Sequence, residues 1–296
     1  MRNTIVILGL LVSFCLSFVG CSKNSDATRT SQTLLAQMVD SAVGTLNVIL
    51  NDTERSSSLQ AQAACTNARY SPALGAANCN GTVNDRTITM TYSGCTAGPS
   101  NEVTLTGAAT LAFDSTANCT GWVSLAAGLL PSAGVATWAS TTFSRSGTSG
   151  TVATSSASHT NYQSTTISGG ATITFQAGQV LMNVTGIRRT GSFDHSVRTT
   201  SQITVVGSQG AGNRNVTSGT LVIDDNALEY TGTTSISGLT WTDTQCCYPN
   251  GGTLTWAFSG SATGSGTATF SSTTCGEVQI TDSSGNSTSF TLQSCG

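Results

Sequence analysis

Residues 86–113 read RTITMTYSGCTAGPSNEVTLTGAATLAF. Ile88, Met90 and Tyr92 fall at every second position, with threonines between them. Val103, Leu105, Ala109, Leu111 and Phe113 repeat the alternation after a stretch rich in Gly, Pro, Ser and Asn. A period of two places one set of side chains on one face of a pleated strand and the other set on the opposite face. Gly, Pro and Asn favour turn geometries, so these residues predict two strands joined into an antiparallel pair.

The same pattern continues towards the C-terminus. It predicts strands at 134–144, 151–160, 165–176, 179–190, 195–206, 214–223, 227–237, 252–259, 264–271, 275–282 and 287–294. Thr fills the outward positions, and there are only four prolines to interrupt a strand. Short turns between consecutive strands make neighbours antiparallel, hence a meander. A dozen or so strands are too many for a flat sheet, so the expected fold is mainly β: a curved sheet, a barrel or a sandwich. Outward residues are too often Thr, Ser or Ala for a transmembrane barrel, and no aromatic girdle is visible. The motif Ala-Thr-apolar-x-Phe occurs at 109–113 and at 171–175. It recurs loosely as Ala268-Thr269-Phe270, and the unequal spacings speak for shared strand chemistry, not for a true repeat.

Before the strands, residues 31–50 carry Leu34, Leu35, Met38, Val39, Ala42, Val43, Leu46, Ile49 and Leu50. That is the i, i+3, i+4 spacing of an amphipathic helix, with Thr30 or Ser31 able to cap it. Its apolar side lacks aromatics and its polar side lacks Lys and Arg, so it is expected to pack on the sheet and not on a membrane. Residues 54–65 either extend this helix or form a second short one. Residues 120–133 break the alternation and read as a loop or short helix.

The first 21 residues are MRNTIVILGLLVSFCLSFVGC. Arg2 precedes an apolar run from Ile5 to Phe18, which has the length of a signal-peptide core. The end of the run, Phe18-Val19-Gly20-Cys21, resembles the lipobox of bacterial lipoproteins, with Phe18 where that pattern usually has Leu. The resemblance implies cleavage before Cys21 and lipidation of its thiol. Two or more acyl chains would then hold the protein on a membrane, since one chain binds only reversibly. Ser22, where an Asp would signal inner-membrane retention, resembles the outer-membrane pattern. An ordinary secretory signal, with Cys21 merely the first cysteine of the mature chain, is the alternative. The expected organisation is a signal peptide at 1–20, a tether at 21–30 and one β-rich domain at 31–296.

Composition excludes several functions. Removing Arg2 leaves ten basic residues against fourteen acidic ones, and no basic tract is present. Nucleic acid is therefore not an expected partner. Lys23 is the only lysine, which removes P-loop, Schiff-base and lysine-base chemistry. Charged residues make up only 8% of the chain, so the surface must be built from Ser, Thr, Asn and Gln.

With Cys15 lost with the signal and Cys21 lipidated, eight cysteines remain: Cys65, Cys79, Cys95, Cys119, Cys246, Cys247, Cys275 and Cys295. An even number in an exported chain predicts disulfides. They form two groups of four, and pairing within each group is the simplest expectation. The C-terminal segment predicts a hairpin turning at Asp282–Asn286. Setting Val278 opposite Leu292 and Ile280 opposite Phe290 would place Cys275 opposite Cys295, so that the two could bond. The rival arrangement sends Cys275 and Cys295 to Cys246 and Cys247. No cysteine or histidine spacing suits zinc, and neither metal nor cofactor is expected.

No nucleophile elbow, zinc-protease, calcium-loop or dinucleotide motif is present. Residues 187–198, IRRTGSFDHSVR, form the densest polar stretch. Read as a hairpin, it gathers Arg188, Arg189 and Arg198, with Asp194 and His195 at the tip. Such a cluster predicts either an anion site or a solvated hairpin with local ion pairs. Asp224-Asp225-Asn226 reads as an Asx turn in preference to a calcium site. Trp138, Trp241, Trp256, Tyr230 and Tyr248 are expected in the core, with sugar stacking as the alternative. The resulting expectation is a non-catalytic binding, structural or adhesion module of the cell envelope. Its partner would be a cell-surface or envelope component, a glycan or a lipid. The alternative is a periplasmic carrier of lipid or another apolar ligand.

Overall fold

A computed structural model describes residues 35, 38–39, 41–46, 69–71, 87–97, 103–114, 132–147, 150–153, 158–161, 164–190, 194–207, 214–242, 246 and 248–292. The strands are β1 (Arg69–Ser71), β2 (Thr87–Ala97), β3 (Val103–Phe113), β4 (Gly134–Gly147), β5 (Gly150–Ala153), β6 (Ser158–Asn161), β7 (Ser164–Gln176) and β8 (Gln179–Thr190). They continue as β9 (His195–Val206), β10 (Arg214–Asp225), β11 (Tyr230–Trp241), β12 (Gly251–Gly260), β13 (Gly264–Phe270), β14 (Glu277–Asp282) and β15 (Ser287–Thr291).

Thirteen strands form one antiparallel sheet in chain order, interrupted only where β5 and β6 pair as a separate hairpin between β4 and β7. The candidate strand at 151–160 is thus a hairpin, with β5 and β6 as its arms. Among the described residues β1 and β15 each pair with a single neighbour, so the sheet is open and not a hydrogen-bonded barrel. Residues 54–65 and 120–131 lie outside the described residues.

One face of the sheet is apolar. Ile236, Leu254, Ala268 and Ile280 stand in one cross-strand row on that inner face, and all are buried. The recurring Ala-Thr-apolar-x-Phe motif occupies neighbouring sites, with Ala109, Leu111 and Phe113 on β3 and Ala171, Ile173 and Phe175 on β7 all buried. Phe113 and Phe175 stack across the small residues of β4, with ring centroids 6.1 Å apart.

Register shifts interrupt most of the long strand pairs near mid-strand. Each lets one strand carry extra residues, as β-bulges do, and raises the local twist. Gly169 shows why glycine is needed there. Its φ is +128°, and a Cβ would stand 1.9 Å from the Gly186 carbonyl oxygen.

Of the helix expected at 31–50, the described residues 35, 38, 39 and 41–46 are helical and buried. They lie across the strands. A Cβ on Gly266 of β13 would meet Leu35, and one on Gly232 of β11 would meet Met38. Ser41 bonds His195 of β9, and a Cβ on Gly44 would meet the Arg189 guanidinium of β8. The helix therefore crosses from β13 to β8 on the inner face. Leu35, Met38, Val39, Ala42, Val43 and Leu46 are buried to 1% exposure or less. At roughly 1.5–3 kcal/mol per large apolar side chain, their burial contributes on the order of 10 kcal/mol before ordering entropy.

The C-terminal hairpin corrects the expected disulfide. Val278 pairs with Phe290 and Ile280 with Thr288, a slip of two residues from the expected register. Either register keeps Thr288, Phe290 and Leu292 on the inner face, because the side-chain period is two. The turn decides between them: Asp282 accepts hydrogen bonds from the backbone N–H groups of Ser284 and Asn286, both at 2.9 Å. Cys275 is bonded to Cys246, with an S–S distance of 2.07 Å and Cα atoms 5.5 Å apart. It is therefore not available to Cys295. The bond stays within the second group of cysteines. Cys21, Cys65, Cys79, Cys119, Cys247 and Cys295 lie outside the described residues. Cys95 is in β2, where its side chain is not among those described.

Candidate functional site

The two faces of the sheet differ chemically, and each is set by residue parity. On β10–β15 the outward positions form two adjacent rows. Thr220, Ser235, Thr255, Thr267, Thr281 and Ser287 make one. Ser218, Ser237, Thr253, Thr269, Gln279 and Ser289 make the other. All are exposed or half-buried, and neither row carries a charge. Strand spacing sets these groups about 4.8 Å apart across the rows, and two residues of rise set about 6.8 Å along the strands. Hydroxyls both donate and accept hydrogen bonds. Thr281 and Ser287 already bond each other at 2.8 Å.

Among the described residues, two ion pairs of the outer face lie towards one end. Arg188 donates to Asp194 at 3.0 Å, and the Asn226 amide donates to the same carboxylate at 2.8 Å. Arg198 lies 3.6 Å from Asp224, which also accepts a hydrogen bond from Thr231. The Arg188 hydrogen bond is the main cause holding the Asp194 carboxyl below its usual range, against a smaller effect of desolvation. Asp194 in turn raises Arg188.

Arg189 is one residue on and faces inward, at 1% exposure. The structure thus does not bring Arg188, Arg189 and Arg198 together. Two sit outside, each beside an aspartate, and the third is on the opposite face. Arg188 and Arg198 thus take part in separate local ion pairs. His195 also departs from the expected tip position, because it opens β9 on the inner face.

This inner end of the sheet holds a row of polar residues. Arg189 pairs in register with His195, His195 with Asp225, and Asp225 with Tyr230. All four are at least 97% buried. Above them, Ser41 of the helix lies 2.5 Å from His195 Nε2. A serine oxygen in contact with an imidazole beside a carboxylate is the composition of a hydrolytic triad. Two features separate it from one. Ser41 and His195 are sealed, at 0% and 1% exposure. The Asp225 carboxylate caps its own turn, with Oδ1 accepting the N–H groups of Ala227 and Leu228 at 2.8 Å each. That turn is the Asx turn expected at 224–226. Among the described residues no cluster of His, Cys, Asp and Glu suits a metal ion.

Alternation could have placed His195 inside, because it shares parity with buried Val197. Helical periodicity likewise set Ser41 off the apolar stripe. Nothing in the sequence joined the two, since 154 residues separate them.

Trp138, Trp241, Trp256, Tyr230 and Tyr248 are all in the core, at 4% exposure or less, and offer no stacking surface to a sugar. At the far end of β10, Arg214 lies over Trp241 at 5.3 Å, a buried cation–π contact. Among the described residues, the class defined is a mainly β protein built on one open thirteen-stranded sheet, with an N-terminal helix on its apolar face and rows of hydroxyls on the outer face of β10–β15. No family model matches the chain, nor does any curated protein or solved structure.

Proposed function

We propose that the protein is a lipid-anchored component of the cell envelope, most consistent with the outer membrane, that works without catalysis. In this reading the hydroxyl-bearing face of β10–β15 is the working surface, and its partner is an uncharged envelope or cell-surface component such as a neutral glycan. The observation that carries the reading is the division of the sheet. The inner face is occupied by the helix, while the outer rows are polar, regular and free of charge. A carrier of apolar ligands would need the inner face open. Leu35 and Met38 fill it over β13 and β11 so closely that one added Cβ would collide with them.

The experiment treats intact cells with a broad protease and detects the protein by antibody, beside lysed cells and a Cys21→Ser variant. Lipidated, membrane-bound protein degraded on intact cells supports the reading. Protection until lysis places the protein in the periplasm and refutes a cell-surface partner. Loss of acyl label and of membrane association in Cys21→Ser is the expected control, and retention of both refutes the anchor. Binding to a neutral glycan through these two rows is expected to be insensitive to salt, because neither row carries a charge for screening to weaken.

A further inference from the structure

We propose that the β5–β6 hairpin guards the free edge of β15, and that without it two copies of the chain join there, strand to strand. A sheet edge carries a row of backbone N–H and C=O groups able to pair with another chain. Which groups face outward on β15 follows from its bonds to the preceding strand. The Leu292 N–H donates to the Gly276 carbonyl at 2.8 Å, and the Asp282 N–H donates to the Asn286 carbonyl at 3.0 Å. Bonded and unbonded pairs alternate along an antiparallel ladder, so Thr288 and Phe290 also turn their backbone groups towards β14. Ser287, Ser289 and Thr291 then turn theirs outward. Among the described residues β15 pairs only with β14.

Strand β15, STSFT, lacks the sequence devices that blunt an edge. It carries no charge and no proline, and its register with β14 runs without a bulge. At the opposite edge β1 is only three residues long, and shortness is itself a protection. What stands beside β15 is β5, although β5 keeps its own pairing with β6 in a separate two-stranded sheet. Ser287, Ser289 and Thr291 are exposed on the outer face, so the hairpin does not lie over that face. The inner face at Phe290 belongs to the core. The approach left to β5 is the edge, where it blocks an incoming strand without extending the ladder. Two copies meeting antiparallel at β15 would be related by a two-fold axis. Such a contact uses up both edges and stops at a dimer.

The test measures the protein mass of the full chain by sedimentation in detergent, with micelles in excess. In one variant, residues 147–163 are replaced by Asn-Gly. This two-residue turn joins Ser146 to Ser164, which pair between β4 and β7. The mass of the variant is expected to be double that of the unaltered chain. Adding Ser289→Pro removes an outward N–H and leaves the β14–β15 bonds in place, so the mass is expected to return to the unaltered value. A variant whose mass does not rise overturns the proposal, as does a doubled mass that survives Ser289→Pro. An unaltered chain whose own mass halves with Ser289→Pro also overturns it, because the edge is then not guarded. Should the shortened chain fail to fold, Thr151→Pro/Val152→Pro takes its place. Hydrogen-bonded positions alternate along β5, so one of these two prolines must remove a bond to β6. The same outcomes then decide.

Discussion

Adding one methyl group at Gly232 tests where the N-terminal helix lies. Gly232 is buried in β11, and a Cβ built there would stand 2.6 Å from Met38 Cε and 2.9 Å from Sδ. Gly232→Ala therefore overpacks the helix–sheet contact. Met is flexible and can partly yield, so the cost should lie near the lower end of the usual range, about 1 kcal/mol. Met38→Ala removes a side chain at 0% exposure and should cost about 2–5 kcal/mol. In that background the new methyl meets Phe258 Cε1 at 3.4 Å and otherwise enters vacated space. Gly232 is not among the positive-φ glycines, so alanine fits its backbone. The second substitution should then stabilise by about 1 kcal/mol, from apolar burial and reduced unfolded-state entropy. The sign reversal amounts to a coupling of about 2 kcal/mol, well above the additivity expected of independent sites. Urea unfolding of the four proteins, with disulfides intact and ΔG obtained by linear extrapolation, measures it. Additivity within about 0.5 kcal/mol would refute the placement of Met38 on β11.

Three further outcomes follow from particular contacts. Gly169→Ala puts a side chain at φ +128° and against the Gly186 carbonyl, and should cost at least about 2 kcal/mol in chemical denaturation, whereas Gly178→Ala in the β7–β8 turn meets no neighbouring atom and should cost less. Removing the Cys246–Cys275 bond, which spans 29 residues, should lower stability by about 3–4 kcal/mol on the chain-entropy account. Equal denaturation midpoints for the intact chain and the Cys246→Ser/Cys275→Ser variant would contradict this. The Asp282 carboxyl is held below its usual range mainly by the Asn286 side chain, then by backbone N–H groups. Its folded value is thus lower than its unfolded one. The turn it stabilises should be at full strength above about pH 4 and weaken as pH falls through the folded value. Hydrogen exchange of the β14–β15 hairpin reads this, and Asp282→Asn should remove the pH dependence.

Strand positions were legible because alternation survives in the sequence even where packing is unknown. The β7, β8 and β9 boundaries match the alternating segments to within a residue. Asp224–Asn226 was legible for a local reason, since an Asx turn needs only its own backbone. The C-terminal register was not. Period-two patterning is blind to a slip of two residues, so the cysteine pairing drawn from it failed. Arg188, Arg189 and Arg198 show the same limit in reverse: proximity along the chain suggested one cluster, while parity sent adjacent arginines to opposite faces.

The sequence by itself determined that the chain is a meander of alternating strands with an uncharged, hydroxyl-rich surface and an amphipathic segment at its start. Those properties are periodic or compositional and need no partner in space. Only the tertiary structure decided that the sheet stays open, that the helix lies across β13 to β8, and that Ser41 meets His195. Contacts across 154 residues depend on how many strands intervene and where bulges shift their register, and local preference does not encode either.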